Sequence, residues 1–188
     1  FNEGDNGSFS GHARVYNYNG SSWVQLGQDI DGEEAGDWSG LSVSLSSDGS
    51  IVAIGAISNE GDNGIYSGQV RVYNYNGTSW VQLGQDIDGE EEGDESGRSV
   101  SLSSDGSTVA ITAIFNDGNG ANSGHVRVYQ YNGTSWVQIG QDIDGEESGD
   151  ISGISVSLSS NGSIVAIGAP FNNGNGTYSG HVRVYQYN

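Results

Sequence analysis

The stretch "VRVYNYNGTSWVQLGQDIDGEEEGD" (Val70–Asp94) decides the fold, because the chain writes it three times. It stands earlier as "ARVYNYNGSSWVQLGQDIDGEEAGD" (Ala13–Asp37) and later as "VRVYQYNGTSWVQIGQDIDGEESGD" (Val126–Asp150), and a fourth copy opens at Val182. Trp23, Trp80 and Trp136 stand 57 and 56 residues apart, and Arg14, Arg71, Arg127 and Arg183 keep the same step. A fixed period of this size marks a propeller, a solenoid or an array. It also points to a surface displayed several times rather than to one catalytic cleft.

Working outward from that stretch, each repeat reads as four strands. The first is "LSVSL" (Leu41–Leu45), with copies at Arg98–Leu102 and Ile154–Leu158. The second is "SIVAIGA" (Ser50–Ala56), a short apolar run expected to be covered on both faces. The third is "HVRVYQY" (His125–Tyr131), which alternates in the β manner. An Asn-Gly turn then leads into the fourth, "SWVQLG" (Ser79–Gly84). The repeats differ in length only in the Asn/Gly-rich loop, where Asn2–Gly11 and Asn59–Gly68 are one residue longer than Asn116–Gly124 and Asn172–Gly180. Length changes belong on surface loops, which supports these strand assignments.

Four short antiparallel strands per repeat describe a propeller blade. The expected fold class is all-β: tandem four-stranded antiparallel blades, β-propeller-like, with three repeats plus a partial one. Residues 1–188 read as a single array, with repeats at about 1–57, 58–114 and 115–170 and a partial one at 171–188. The alternative is an open β-repeat array or fibre. A β-solenoid has shorter repeats and needs no hairpins inside them. A usual ring has about four to eight blades. The count here therefore predicts a window of a longer array, or a chain that completes itself by assembly.

Composition narrows the function classes. Only 34% of the 188 residues are hydrophobic, and 32 are glycine, which suits many short strands and turns. Cysteine is absent, so no disulfide framework is available. No stretch is long and apolar enough for a membrane-spanning helix. The first residue is Phe1, which predicts a processed or trimmed N-terminus. With 24 acidic residues against 5 arginines and no lysine, the formal charge is −19. That charge excludes a nucleic-acid partner, whose phosphates need a basic footprint, and favours attraction of cations.

The residues "GISVSLSSNGSIVAIGAPFNNGNGTYSGHVRVY" (Gly153–Tyr185) resemble an FG-GAP repeat, the blade unit of integrin α-subunit propellers. Gly153-x-Ser155-Val156 matches the first half of that motif and Gly168-Ala169-Pro170 the second. Gly180-x-Val182-x-Val184-Tyr185 matches the strand that follows. The resemblance runs in tandem through essentially the whole chain and implies a propeller in a secreted or cell-surface protein. Two departures matter. Gly55-Ala56-Ile57 and Thr112-Ala113-Ile114 replace Gly-Ala-Pro in the other repeats. The family's DxDxDG calcium loop is reduced to Ser47-Asp48-Gly49, Ser104-Asp105-Gly106 and Ser160-Asn161-Gly162, too few carboxylates to carry that site over.

Candidate metal ligands lie instead in the repeated acidic loops: Asp29, Asp31, Glu33 and Asp37; Asp86, Asp88, Glu90 and Asp94; and Asp142, Asp144, Glu146 and Asp150. Calcium takes several hard oxygen ligands, and glycine lets backbone carbonyls join them. The competing reading is a solvated acidic loop. Asn116, Asp117 and Asn119 read first as turn residues. The tyrosine pairs Tyr16/Tyr18, Tyr73/Tyr75, Tyr129/Tyr131 and Tyr185/Tyr187 each share a strand face. With Trp23, Trp80 and Trp136 they read first as packing between blades, and otherwise as sugar-stacking platforms. Trp38, whose counterparts are Glu95 and Ile151, is expected to be exposed. Each of the four repeated arginines is expected to pair with a carboxylate or carbonyl. His12, His125 and His181 correspond to Gln69, a swap that argues against an essential metal ligand. Sequons at Asn6, Asn19, Asn76, Asn132, Asn161 and Asn175 are candidate glycosylation sites.

No nucleophile–base constellation stands out. These features predict a secreted or cell-surface, non-enzymatic structural or adhesive repeat protein, a fibre or assembly subunit whose acidic loops calcium stabilises. Its expected partners are like repeats or copies of itself, together with extracellular glycans or proteins. The alternative is a carbohydrate-binding, lectin-like propeller.

Overall fold

The computed structural model describes residues 6–187, and every regular element among them is a β-strand. The first repeat supplies β1 (His12–Ala13), β2 (Tyr16–Tyr18), β3 (Trp23–Gln25) and β4 (Ile30–Asp31). A complete blade follows as β5 (Ser42–Leu45), β6 (Ile51–Ala56), β7 (Gln69–Tyr75), β8 (Trp80–Gln82) and β9 (Ile87–Asp88). The next is β10 (Ser96–Leu102), β11 (Thr108–Ala113), β12 (His125–Tyr131), β13 (Trp136–Gln138) and β14 (Ile143–Asp144). The last sheet holds β15 (Ser155–Leu158), β16 (Ile164–Ala169) and β17 (His181–Gln186).

In each complete blade four strands run antiparallel in chain order, as the sequence predicts. A fifth strand was not expected. The two residues of β9 turn back onto the start of β7, pairing Gln69 with Asp88 and Val70 with Ile87, and β14 does the same on β12. The acidic segment therefore begins inside the sheet, not in a free loop. Two residues carry no alternation to read. The repeat boundaries at 57/58 and 114/115 fall between the second and third strands of a blade.

Local chemistry sets the hairpins. The Asn76 side chain accepts from the Thr78 and Ser79 amides, both at 3.0 Å, and Asn132 repeats this on Thr134 and Ser135. The turn between the first two strands is an Asx turn. Asp48 Oδ1 accepts from the Ser50 amide at 2.9 Å and from the Ser46 hydroxyl at 2.7 Å. Those bonds hold its carboxyl down at about 2.

The core lies between blades, because the alternating residues of each inner strand point to opposite neighbours. Val52 and Ile54 pack with Val15 and Ile30 of the preceding blade. Ala53, Val70 and Val72 pack with Val109, Ile111 and Trp136 of the following one. Ala110, Val126 and Val128 meet Val165 and Ile167 in the same way. The first strands stand side by side and are stitched by serine. The Leu102 amide donates to Ser44 Oγ, and the Leu158 amide to Ser101 Oγ, each at 2.9 Å. The Ser47 amide donates to the Ser104 carbonyl and the Ser104 amide to the Ser160 carbonyl, each at 2.8 Å.

Candidate functional site

The third strand of each blade positions the chemistry. Its valines face the following blade, so Arg71, Arg127 and Arg183 must face the preceding one. Arg71 Nη2 donates to the Asp31 carbonyl and Arg127 Nη2 to the Asp88 carbonyl, each at 2.9 Å, and Arg183 Nη2 donates to the Asp144 carbonyl. The same guanidiniums face Glu33 at 3.4 Å, Glu90 at 3.2 Å and Glu146 at 3.8 Å. Each also lies over the tyrosine two residues on, as Arg127 does over Tyr129 at 5.6 Å. Arg14 turns instead onto Asp29 of its own repeat at 2.6 Å, and together with the Gln25 amide holds the Asp29 carboxyl at about 2. The expected arginine pairing is thus observed at all four positions.

Two groups of acids stand out. Asp37, Asp94 and Asp150 are buried and tie the loop to itself: they accept from the amides of Glu33 and Glu34, of Glu91, and of Glu147. The Asn116 and Asn172 amides of the following repeat also donate to Asp94 and Asp150, at 2.9 and 2.8 Å. Asp86 and Asp142 each take a 2.6 Å bond from a glutamine, Gln82 and Gln138, as Asp29 does from Gln25 at 2.7 Å. Members of both groups join further acids around two open clefts. Glu33, Asp37, Asp86 and Asp88 meet Glu60 and Asp62 around a cleft of about 400 Å³. Glu90, Asp142 and Asp144 meet Glu91 and Asp117 around one of about 370 Å³. The fold thus concentrates carboxylates where one blade's acidic loop faces the next blade's Asn/Gly loop. Burial pushes the carboxyls of Asp88, Glu90, Asp94 and Asp144 up.

One residue at this junction escaped the sequence reading. His125 is 1% exposed, and its Nδ1 faces Glu90 Oε2 at 3.8 Å. Glu90, His125 and Asp142 bring their ligand atoms within 4.8 Å of one another. Burial lowers the imidazole to about 4, so it is neutral. Three of the four repeats carry histidine at this position, and glutamine stands at Gln69 in the other.

The aromatics mostly pack. Trp80 and Trp136 are buried and donate through Nε1 to the Leu26 and Leu83 carbonyls of the preceding repeat, at 2.8 and 2.7 Å. Trp23 meets no preceding blade among the described residues and is 69% exposed. Trp38 is exposed, as expected, at 49%. All six sequon asparagines lie at the surface. The Asn6 amide donates to the Gly32 carbonyl at 2.7 Å. Asn19 and Asn161 cap their own turns as Asn76 and Asn132 do, and Asn175 stands in an exposed loop.

Fold and repeat define a β-propeller-like repeat protein. Residues 87–129 match the FG-GAP repeat, which supports the FG-GAP-like character of the chain. No curated protein is a significant match to the sequence. Among solved structures, a candidate 6-phosphogluconolactonase from Bacteroides uniformis superposes with a TM-score of 0.62 at 14% identity, over 95% of this chain and 45% of that one. Hydrazine synthase from Kuenenia stuttgartiensis does so with a TM-score of 0.52 at 17% identity, over 94% of this chain and 48% of that one. At such identities the likeness shows the fold alone. The chain spans less than half the length of either protein.

Proposed function

We propose that this is a non-enzymatic structural or adhesive repeat protein of the cell surface or extracellular space, and that its blades associate with like repeats or with copies of itself. One observation carries the reading. Among the described residues, the contact that neighbouring blades make is left unfilled on the two outermost blade faces. Trp23 is 69% exposed on the leading face, whereas its counterparts Trp80 and Trp136 are buried. Val182 and Val184 are 68% and 64% exposed on the trailing face, whereas Val70, Val72, Val126 and Val128 are buried. The two faces match the two sides of the contact between neighbouring blades, so each fits a like blade, whether of this protein or of another copy. The FG-GAP-like repeat supports a location outside the cell.

In this reading the acidic clefts take calcium, which offsets the repulsion among their carboxylates and stiffens the junction between blades. Glycans on Asn19, Asn76 and Asn132 would decorate one rim, away from the blade faces. The test is sedimentation velocity over a range of protein concentration, in calcium and after chelation. Concentration-dependent assembly that weakens without calcium and disappears in a Trp23→Asp/Val184→Asp variant is the expected result. A single small species under every condition overturns the proposal. A second, lectin-like reading draws on Phe9 and Trp38, which line an open apolar cleft at 46% and 49% exposure. Glycan binding abolished by Trp38→Ala would favour it.

A further inference from the structure

The chain holds three versions of one junction, and the differences among them identify a site. In the first, Gln69 Nε2 donates to Glu33 Oε2 at 2.8 Å, so the buried side chain and the carboxylate satisfy each other. In the second, His125 occupies the position of Gln69, is buried, and makes no side-chain hydrogen bond among the described residues; its Nδ1 faces Glu90 Oε2 at 3.8 Å, beyond hydrogen-bond reach. In the third, His181 faces Glu146 Oε2 at 3.5 Å, but the Asn172 amide also reaches that oxygen, at 3.2 Å. A buried polar side chain without a partner is uncommon and asks for an explanation.

We infer that Glu90, His125 and Asp142 bind a nitrogen-preferring divalent cation of the zinc type at the junction of the second and third repeats. The three ligand atoms lie within 4.8 Å of one another. Two zinc bonds of about 2.0–2.2 Å meeting at a tetrahedral angle separate their donor atoms by about 3.4 Å. The 3.8 Å between His125 and Glu90 needs only a small closure to reach that value. The two Glu90 oxygens have separate tasks: Arg127 faces Oε1 at 3.2 Å, leaving Oε2 toward the imidazole. Gln138 holds Asp142 Oδ1 at 2.6 Å and leaves the other oxygen without a hydrogen bond, the outer-shell support that fixes a ligand's orientation. One imidazole and two carboxylates suit zinc and neighbouring transition metals, whereas calcium selects oxygen alone. The cation joins Glu90 of one repeat to His125 and Asp142 of the next, and so acts as a clamp between blades. Glu90 and Asp142 also line the cleft assigned above to calcium, so the imidazole is what separates this site from its Gln69 counterpart.

The experiment titrates the full chain with zinc chloride and reads the imidazole ¹⁵N resonances together with calorimetry. Zinc is expected to shift the His125 ring nitrogens at one equivalent. His125→Gln, which copies the Gln69 arrangement, is expected to weaken that site at least tenfold while leaving calcium uptake unchanged. Should that variant fold poorly, the ring resonances of the unaltered protein decide the matter. Zinc that leaves the His125 ring unmoved, or shifts only His12 or His181, overturns the inference. So does equal zinc affinity in His125→Gln, or displacement of zinc by an equal concentration of calcium.

Discussion

Replacing Trp136 by alanine tests whether the core lies between blades. Trp136 is 3% exposed and packs against Tyr131 at 5.3 Å between ring centres. Its indole donates to the Leu83 carbonyl at 2.7 Å, and its backbone amide takes Gln85 Oε1 at 3.1 Å. The ring lies against Gly84, whose φ of +79° and whose virtual Cβ at 3.0 Å from the indole both demand glycine. Truncating a buried tryptophan costs about 3–5 kcal/mol, and the Leu83 carbonyl, left without its donor, adds about 1 kcal/mol. Trp136→Ala should therefore lose about 4–6 kcal/mol, a large share of a small domain's total stability. Trp23 lies in nearly the same local sequence and contacts Tyr18 at 5.5 Å, yet is 69% exposed. Trp23→Ala should stay within about 0.5 kcal/mol of the parent. Urea unfolding followed by far-ultraviolet circular dichroism measures both. Equal losses in the two variants would refute the reasoning, since a preceding blade is what separates the two sites.

Three further outcomes follow from the junctions. His125 is held near 4, below its ordinary value of 6.5, so the unfolded chain takes up the proton first. Its contribution is complete above about pH 6.5 and is lost as pH falls toward 4, a change of about 3 kcal/mol by linkage. Carboxyls such as Asp88, whose values are raised, act in the opposite sense, so the readout is the difference in urea midpoint between the parent and His125→Gln across pH 4–7. Ser101→Ala removes the acceptor of the Leu158 amide and should cost about 1 kcal/mol in the same assay. Arg127→Leu strips the cation from the Glu90 carboxylate and the donor from the Asp88 carbonyl. Glu90 remains partly in water, so the loss should be about 1–3 kcal/mol, seen as a lower urea midpoint.

The strands were legible where the pattern has length. The alternation in "HVRVYQY" gives β12 residue for residue, and the apolar run of β6 and β11 announced burial on both faces. The Ile-Asp strands were not legible, since two residues have no period. Nor was the partner of each arginine, because Arg71 and Glu33 meet across a blade boundary that sequence spacing does not define. The acidic clefts were half legible: the carboxylates were visible, but not that Asp94 and Asp150 are buried braces while Glu90 and Asp142 face open space. His125 was discounted because Gln69 replaces it in another repeat. Quasi-equivalent positions in an array are separate sites, and a difference between them points to local specialisation as readily as to dispensability.

The same logic applies to the backbone positions that break the usual rules. Phe9, Trp38, Tyr66, Glu95, Asn122, Ile151 and Tyr178 all have positive φ, between 52° and 62°. Six of them form three linked pairs: the Trp38, Glu95 and Ile151 amides donate to the Phe9, Tyr66 and Asn122 carbonyls. Left-handed backbone costs most non-glycine residues roughly 1–2 kcal/mol, and only asparagine among these seven is well suited to it. The scaffold holds that conformation in every repeat while the side chain changes from tryptophan to glutamate to isoleucine. Backbone ease does not explain such residues; under the proposed function, the exposed ones would be kept for display toward a partner. Tyr66 is 55% exposed, so little packing opposes its removal. Tyr66→Gly should therefore stabilise the chain by about 1 kcal/mol, the relieved strain slightly exceeding the entropy glycine adds to the unfolded state. A rise in the urea midpoint with weakened assembly or ligand capture would mark Tyr66 as a contact residue. A fall of more than about 1 kcal/mol would show that its side chain supports the fold, and the display argument would fail at that position.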